Sequence, residues 1–482
     1  MKVSRREFLL ASSVFALTAA RVFPMERKHI LVLGAGLAGL SSAYELAKLG
    51  HAVTIIEGRE RLGGRIRTLR DAFDSDLFLE TGGELFGDGY KRLIGYTEEF
   101  GIEVEEMRPE TETGGSVSAI QDGIGSSVFM KGRFYAKGDN FETHPYGLKG
   151  DEAKMLPGTL LGRHIRLINS EIRAGKTDVM ELDKISMGDA LRARGASPEA
   201  VRLMDISLNY NSIETVSAGA VIEDGNRRRN AGTVPLKIPN GNDTLIAAMA
   251  KGCEAKGCKI ESGAIVSKIK VSGNAVSVET KTKAGKKKIF KGDRVICSIP
   301  FSALRKVRFQ PGLSRKKAEA IKSLDYTKNT KVYLQAGYRG WESRSIGSSI
   351  WTDTHLERIF SLTAKPGDQH GLFAIWTEGN GSDHIGRMKD QARMNYCVSE
   401  LLKMLPFMRG SIEKTATYSW SSDPFAYGSY AHFKVGQLSS IRPNISTQEG
   451  LIHFAGEHTA NEMPGMEGAL ESAARVVSEI TT

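Results

Sequence analysis

An α/β fold is predicted by three observations near the start of the chain. Residues 30–33 (Ile-Leu-Val-Leu) form an apolar run that stops at a glycine turn, Gly34-Ala35-Gly36-Leu37-Ala38-Gly39. Behind the turn Leu37, Leu40, Tyr44 and Ala47 recur at helical spacing, and Gly50 ends the pattern. A second apolar run, residues 52–56, then closes at Glu57. Strand, helix and strand make a Rossmann-like βαβ unit. Gly34 permits the tight turn, Gly36 lets backbone approach a pyrophosphate, and Gly39 lets helix pack on strand. The phosphates would rest at the positive helix end beside Leu37 and Ala38. Glu57 is placed to accept ribose hydroxyls.

The 482-residue chain has room for two or three domains, and its 40% hydrophobic and 25% charged residues are those of a globular protein. Its 66 basic and 56 acidic residues give a formal charge of +10, yet the basic residues are dispersed. Short runs at 227–229 and 286–288 read as solvated loop and turn positions, so no nucleic-acid partner is expected. Four cysteines are too few for a disulfide framework. Cys253 and Cys258 flank a turn at Gly257, and the spacing admits either a bond or two separate thiols. Neither zinc-ribbon spacing nor an HExxH pattern occurs, so no metal site is expected.

At the N-terminus, Ser4-Arg5-Arg6-Glu7-Phe8-Leu9 leads into an apolar stretch, residues 8–20, too short to span a bilayer. It resembles a twin-arginine export signal, with cleavage expected after Ala20. That route carries folded proteins, which suits a chain that acquires a bulky cofactor before crossing the membrane. The expected product is periplasmic or secreted, without a stable membrane anchor after cleavage.

Beyond Glu57 the chain reads Gly58-Arg59-Glu60-Arg61-Leu62-Gly63-Gly64-Arg65, and further on Leu79-Glu80-Thr81-Gly82-Gly83-Glu84-Leu85. Near the C-terminus come Ile452-His453-Phe454-Ala455-Gly456-Glu457-His458-Thr459 and Gly465-Met466-Glu467-Gly468-Ala469. This set resembles the flavin-containing amine oxidases, the family of monoamine, polyamine and L-amino-acid oxidases. The resemblance favours FAD over NAD and extends over nearly all of residues 28–482.

The resemblance implies a discontinuous FAD-binding domain of residues 28–102, 225–300 and 440–482, and an α+β substrate domain of residues 103–224 and 301–439, with a mixed sheet and a helical wall. Helical patterning over 160–173 and 187–210 supplies that wall, and alternation over 330–335 suggests a strand. Gly64 and Arg65 would lie by the pyrophosphate; Gly82, Gly83 and Glu84 would run under the flavin. The Val266 backbone would meet the adenine, and Gly456 and Glu457 the ribityl chain. Gly465, Met466 and Glu467 would start a helix whose amides face the flavin. The segment 238–245 carries Asn240-Gly241 where the family has a glycine pair, and Asn240 is expected to tolerate a left-handed turn.

For the chemistry, the resemblance implies that a neutral amine gives its α-hydrogen to flavin N5 and that the imine is then hydrolysed. Lys331 matches the family lysine beside N5, and Tyr430 one half of an aromatic pair around the amine. The other half would fall at Gly465, leaving a wider cavity or one filled by Trp351, Trp376 or Trp420. Ser429 stands where covalently flavinylated members have cysteine, so FAD is expected to be noncovalent. Leu85 stands where L-amino-acid oxidases carry the arginine that clamps a carboxylate, unless Arg92 or a residue of 103–221 substitutes. These features lead first to an exported amine oxidase acting on a primary or secondary amine, with oxygen reduced to peroxide. The alternatives are an L-amino-acid oxidase with a relocated clamp, a dehydrogenase passing electrons to a periplasmic cytochrome, and a nonenzymatic FAD-stabilised binding protein. Homodimerisation is left open.

Overall fold

The computed structural model describes residues 26–74, 78–107, 127–136, 144–338, 346, 349–362 and 370–482. The twin-arginine segment, residues 1–20, lies outside the described residues.

The opening run becomes the central strand His29–Leu33 of a five-stranded parallel sheet. Its neighbours are Ala52–Ile56 on one side and Arg294–Cys297 on the other, with Lys259–Glu261 and Ile452–Phe454 at the edges. Both faces are covered, which is why this strand reads as a continuous apolar run. Ile30 and Val32 pack towards the helix Leu37–Lys48 and the terminal helix Gly465–Thr481. Leu31 and Leu33 pack the other way, against Ile269, Val276, Val278 and Phe290 of a small four-stranded sheet. The five strands come from widely separated stretches of chain, and the terminal helix begins at Gly465.

A second layer system is built on a seven-stranded sheet in which Asn329–Ala336 lies next to the edge, paired antiparallel to Gly371–Glu378 and to the edge strand Ile412–Ser419. One pair, Ser349–Thr352 with Ser127–Met130, is parallel, so the sheet is mixed. The alternation expected over 330–335 does not mark a half-exposed strand. All eight residues of Asn329–Ala336 are buried, because strands flank both edges and packed elements cover both faces.

The helical wall comprises Pro157–Arg173, Met187–Arg192, Pro198–Ser207 and Ala218–Arg229 around Leu160, Ile168, Leu191 and Met204. The stretch 187–210 is two helices rather than one. Gly195 takes φ +84 after the first, and Ser197 caps the second with its side chain on the Ala200 amide, ahead of Pro198.

All four cysteines are free and buried. Cys253 and Cys258 donate to the carbonyls of Leu40 and Ala43 and form no disulfide with each other. Among the described residues no helix is long and apolar enough to cross a membrane, and no group of side chains could hold a metal ion.

Candidate active site

A single cavity of about 410 Å³ runs from the glycine turn of the parallel sheet to the face of the seven-stranded sheet. At its first end the walls are backbone. The helix Leu37–Lys48 starts at Gly36 with no side-chain cap, so its first-turn amides are left for a ligand. Gly36 and Gly64 face each other bare; a Cβ on Gly64 would come within 3.2 Å of the Gly36 Cα. The Glu57 carboxylate is held by the Ala35 and Arg59 amides at 2.7 and 2.8 Å, leaving lone pairs for hydroxyls. Arg59 grips Asp423 through two bonds of 2.8 Å and lies over the Phe425 ring. Arg65 donates to the Ser429 carbonyl at 2.6 Å and to Glu457 at 3.1 Å. This cradle of free amides, bare glycines and a buried acid fits a dinucleotide pyrophosphate and ribose.

Gly34, Gly36, Leu37, Ala38, Glu57, Gly58, Arg59, Gly64, Arg65, Gly82, Gly83, Glu84, Leu85 and Val266 all line the cavity. So do Lys331, Trp376, Trp420, Tyr430, Gly456, Glu457, Gly465 and Met466. Two expected residues do not. Gly39 serves packing, since a Cβ there would sit 2.0 Å from the Gly34 carbonyl oxygen. Glu467 is turned away from the cavity: its carboxylate accepts the Arg92 and Leu93 amides at 2.9 and 3.0 Å and caps the helix Lys91–Glu99. The expected turn also differs in detail. Gly241, not Asn240, adopts the positive φ, and the Asn242 side chain ties the turn to the Gly83 and Glu84 carbonyls.

The other end of the cavity is built from side chains. Lys331 is 2% exposed, far from a surface lysine. Its Nζ sits 3.8 Å from the centre of the Trp376 ring and 3.1 Å from Glu84 Oε2. Glu80, four residues before Glu84, is held by the Thr68 hydroxyl and the Asn242 amide while its second oxygen is buried without a partner. Burial raises its carboxyl to about 7. The Tyr430 hydroxyl lies 2.8 Å from Glu378 Oε1 and 2.6 Å from the Asn209 carbonyl, and burial pushes its ionisation well above the ordinary range.

Three arginines that sequence reasoning missed complete this end. Arg358, 2% exposed, pairs with Glu378 at 2.9 Å and with the Asn209 side chain at 2.5 Å. Arg228 pairs with Asp224 at 2.7 Å, one helical turn away, and Tyr210 donates to the same carboxylate. Burial alone would lift Asp224, but Arg228 and Arg227 hold its carboxyl below the ordinary value. Arg227 donates Nη2 to the Met463 carbonyl and has a buried Nε without an acceptor. The run 227–229 therefore is not a solvated turn: only Arg229 is exposed, and the i,i+4 spacing of Asp224 and Arg228 after Ala218-Gly219-Ala220 was the available signal.

Of the three tryptophans offered for the wider cavity, Trp376 and Trp420 line it and Trp351 does not, and none comes within 4 Å of a Cβ on Gly465. Trp351 is buried among the wall helices with its indole on Ser207. Trp376 packs on Lys331, and Trp420 donates to the Thr81 carbonyl. Instead Tyr90, at the start of the helix Lys91–Glu99, puts its hydroxyl 3.3 Å from where a Gly465 Cβ would be. Arg92 does not reach the cavity; it is spent on Glu467.

The model of the family described as flavin containing amine oxidoreductase matches residues 37–481. The chain belongs to this family. It is therefore a flavin-dependent oxidoreductase acting on amine or amino-acid nitrogen compounds. Among similar proteins, an L-amino-acid oxidase of Siganus canaliculatus is 26% identical over 465 residues, spanning 94% of this chain and 85% of that protein. A flavin-dependent L-tryptophan oxidase of Lentzea aerocolonigenes is 27% identical over 480 residues, spanning 94% and 98%. Among solved structures, putrescine oxidase bound to putrescine superposes with a TM-score of 0.74 at 19% identity, covering 94% and 99% of the two chains. Cyclohexylamine oxidase from Brevibacterium oxydans gives 0.73 at 17% identity, again covering 94% and 99%. These structures bear out the α/β fold.

Proposed function

We propose that the protein is an FAD-dependent L-amino-acid oxidase whose carboxylate clamp has moved from position 85 to Arg227. The observation that carries this reading is the charge balance at the substrate end. Arg228 is matched by Asp224, Arg358 by Glu378 and Lys331 by Glu84, whereas Arg227 has no carboxylate within ion-pair distance among the described residues. Arg227 is half-buried and lines the cavity without a counter-charge, so an anion entering there would be stabilised, and the carboxylate of an α-amino acid is the anion such a substrate brings. The amino-acid oxidases among the relatives support the same reading.

FAD, when bound, accepts the hydrogen and two electrons that leave the substrate's α-carbon. The chain's own residues prepare that event. Arg227 would take the carboxylate and fix which C–H bond is presented. Tyr430, Trp376 and Tyr90 would wall off water around the amine, and Lys331, paired with Glu84, stands beside the reacting region. FAD is bound noncovalently in this reading: Ser429 replaces the linking cysteine and donates to the Thr327 carbonyl, and no cysteine lines the cavity.

A second reading, oxidation of an amine without a carboxylate, is favoured by Leu85 at the family's clamp position. Peroxide release under air from L-leucine and L-phenylalanine, compared with isoamylamine and phenethylamine, separates the two. The amino acids should be turned over and the amines much less; turnover of the amines alone overturns the proposal. The Arg5-Arg6 pair and the apolar stretch behind it support export by the twin-arginine route. Replacing both arginines by lysine should leave the protein in the cytoplasmic fraction, and unchanged export would refute that route.

A further inference from the structure

The four-stranded sheet beside the parallel sheet has one face in the core and one in solvent, and the two faces differ sharply in charge. Ile269, Val276, Val278 and Phe290 point inward. The register places Lys268, Lys270, Lys281, Lys287, Lys291 and Arg308 on the outer face, with Glu279 as its carboxylate. Glu279 is occupied by Lys268 at 3.5 Å, and the remaining five cations have no ion-pair partner among the described residues.

Two features mark this face as more than a solvated one. Lys281 stands directly opposite Lys287, and Lys268 directly opposite Arg308. Like charges in facing positions destabilise a sheet, and an external anion relieves them. In the middle of the third strand, between Lys287 and Lys291, Ile289 is 60% exposed, more than any other large apolar side chain described. The hairpin tip beyond adds exposed Lys283 and Lys286.

We infer that this cationic sheet face is a docking surface for an anionic lipid bilayer. Lysine ammonium groups meet phosphate headgroups while Ile289 enters the apolar boundary beneath them, an arrangement of charge around an apolar tip that suits a membrane interface. A nucleic acid fits less well, because the sheet's aromatic rings, Phe290 and Phe309, lie on the inner side or half-buried and leave no stacking platform. The outer-face residues are remote in role from the cavity, so the surface would hold the enzyme at a membrane without altering its turnover of free substrate.

The test uses the full FAD-loaded protein and co-sedimentation with phosphatidylcholine vesicles, with or without about 30 mol % phosphatidylglycerol. Binding is expected only to the anionic vesicles, and to weaken as salt is raised from about 0.05 to 0.5 M. The double variant Lys281→Glu/Lys287→Glu should lose about tenfold or more in vesicle affinity, and Ile289→Ser about threefold, each keeping its flavin absorbance and turnover. Equal binding to neutral vesicles, no binding to anionic ones, or an unchanged affinity in the double variant overturns the inference. Retention on heparin without any vesicle binding does so too, by making the face a general polyanion site.

Discussion

The two ends of the cavity solve the same task, holding polar groups away from water, by different means. The dinucleotide end uses backbone: Gly36 and Gly64 face each other bare, and helix amides are left open. The substrate end uses charged side chains in pairs, Arg228 with Asp224, Arg358 with Glu378 and Lys331 with Glu84. A backbone site needs glycines at fixed spacing and leaves a motif. A side-chain site draws on residues hundreds of positions apart and leaves none. The first end can be lost by adding a methyl group, the second by removing one charge.

The largest expected effect is on the buried pair. Glu378→Gln leaves the Arg358 guanidinium, 3% exposed at its side chain, without its counter-charge. A loss of about 3 to 5 kcal/mol in unfolding free energy is expected by urea titration. If the variant unfolds like the parent, the charge pairs do not hold the substrate end together.

At the other end, Gly36→Val should leave stability nearly intact, because a Cβ there meets nothing nearer than the Gly64 Cα at 3.8 Å. It should instead reduce FAD affinity about a hundredfold or more, equivalent to about 3 kcal/mol, read by flavin absorbance after dialysis. Retained flavin would mean that the cradle is not the pyrophosphate site.

The smallest effect concerns Glu80, which lies behind Lys331 at the substrate end and outside the cavity lining. Its carboxyl, raised by burial to about 7 from the ordinary 4.5, favours the protonated form in the folded state. Its contribution is complete below about pH 4.5 and is lost as pH climbs to about 7. Glu80→Gln removes that loss, so the variant should gain on the parent across this window and end about 1 to 3 kcal/mol more stable at pH 8. Melting curves from pH 5 to 8 check this; a gain that does not grow with pH would show that Glu80 is ionised throughout.

The same contrast explains what was legible in the sequence. The strand His29–Leu33, the helix Leu37–Lys48 and the strand Ala52–Ile56 were readable because local pattern and buried environment agree. The strand Asn329–Ala336 was readable as a strand but not as a fully buried one, since its polar Thr330, Lys331 and Gln335 find partners only in the assembled fold, on Ser419, Glu84 and Asp74. Arg227 and Arg228 resembled solvent-facing charge because nothing local says that Met463 and Tyr210 will close over them. Tyr90 was invisible as the answer to Gly465, 375 positions along the chain, for the same reason.

The claim that matters most is that Arg227 reads a carboxylate. Anaerobic flavin bleaching by L-phenylalanine and by phenethylamine, in the parent and in Arg227→Met, tests it directly. The parent should prefer the amino acid, and the variant should lose about a hundredfold of that preference while still binding FAD. An undiminished preference in Arg227→Met, or a parent that is bleached by phenethylamine and not by phenylalanine, would contradict the account.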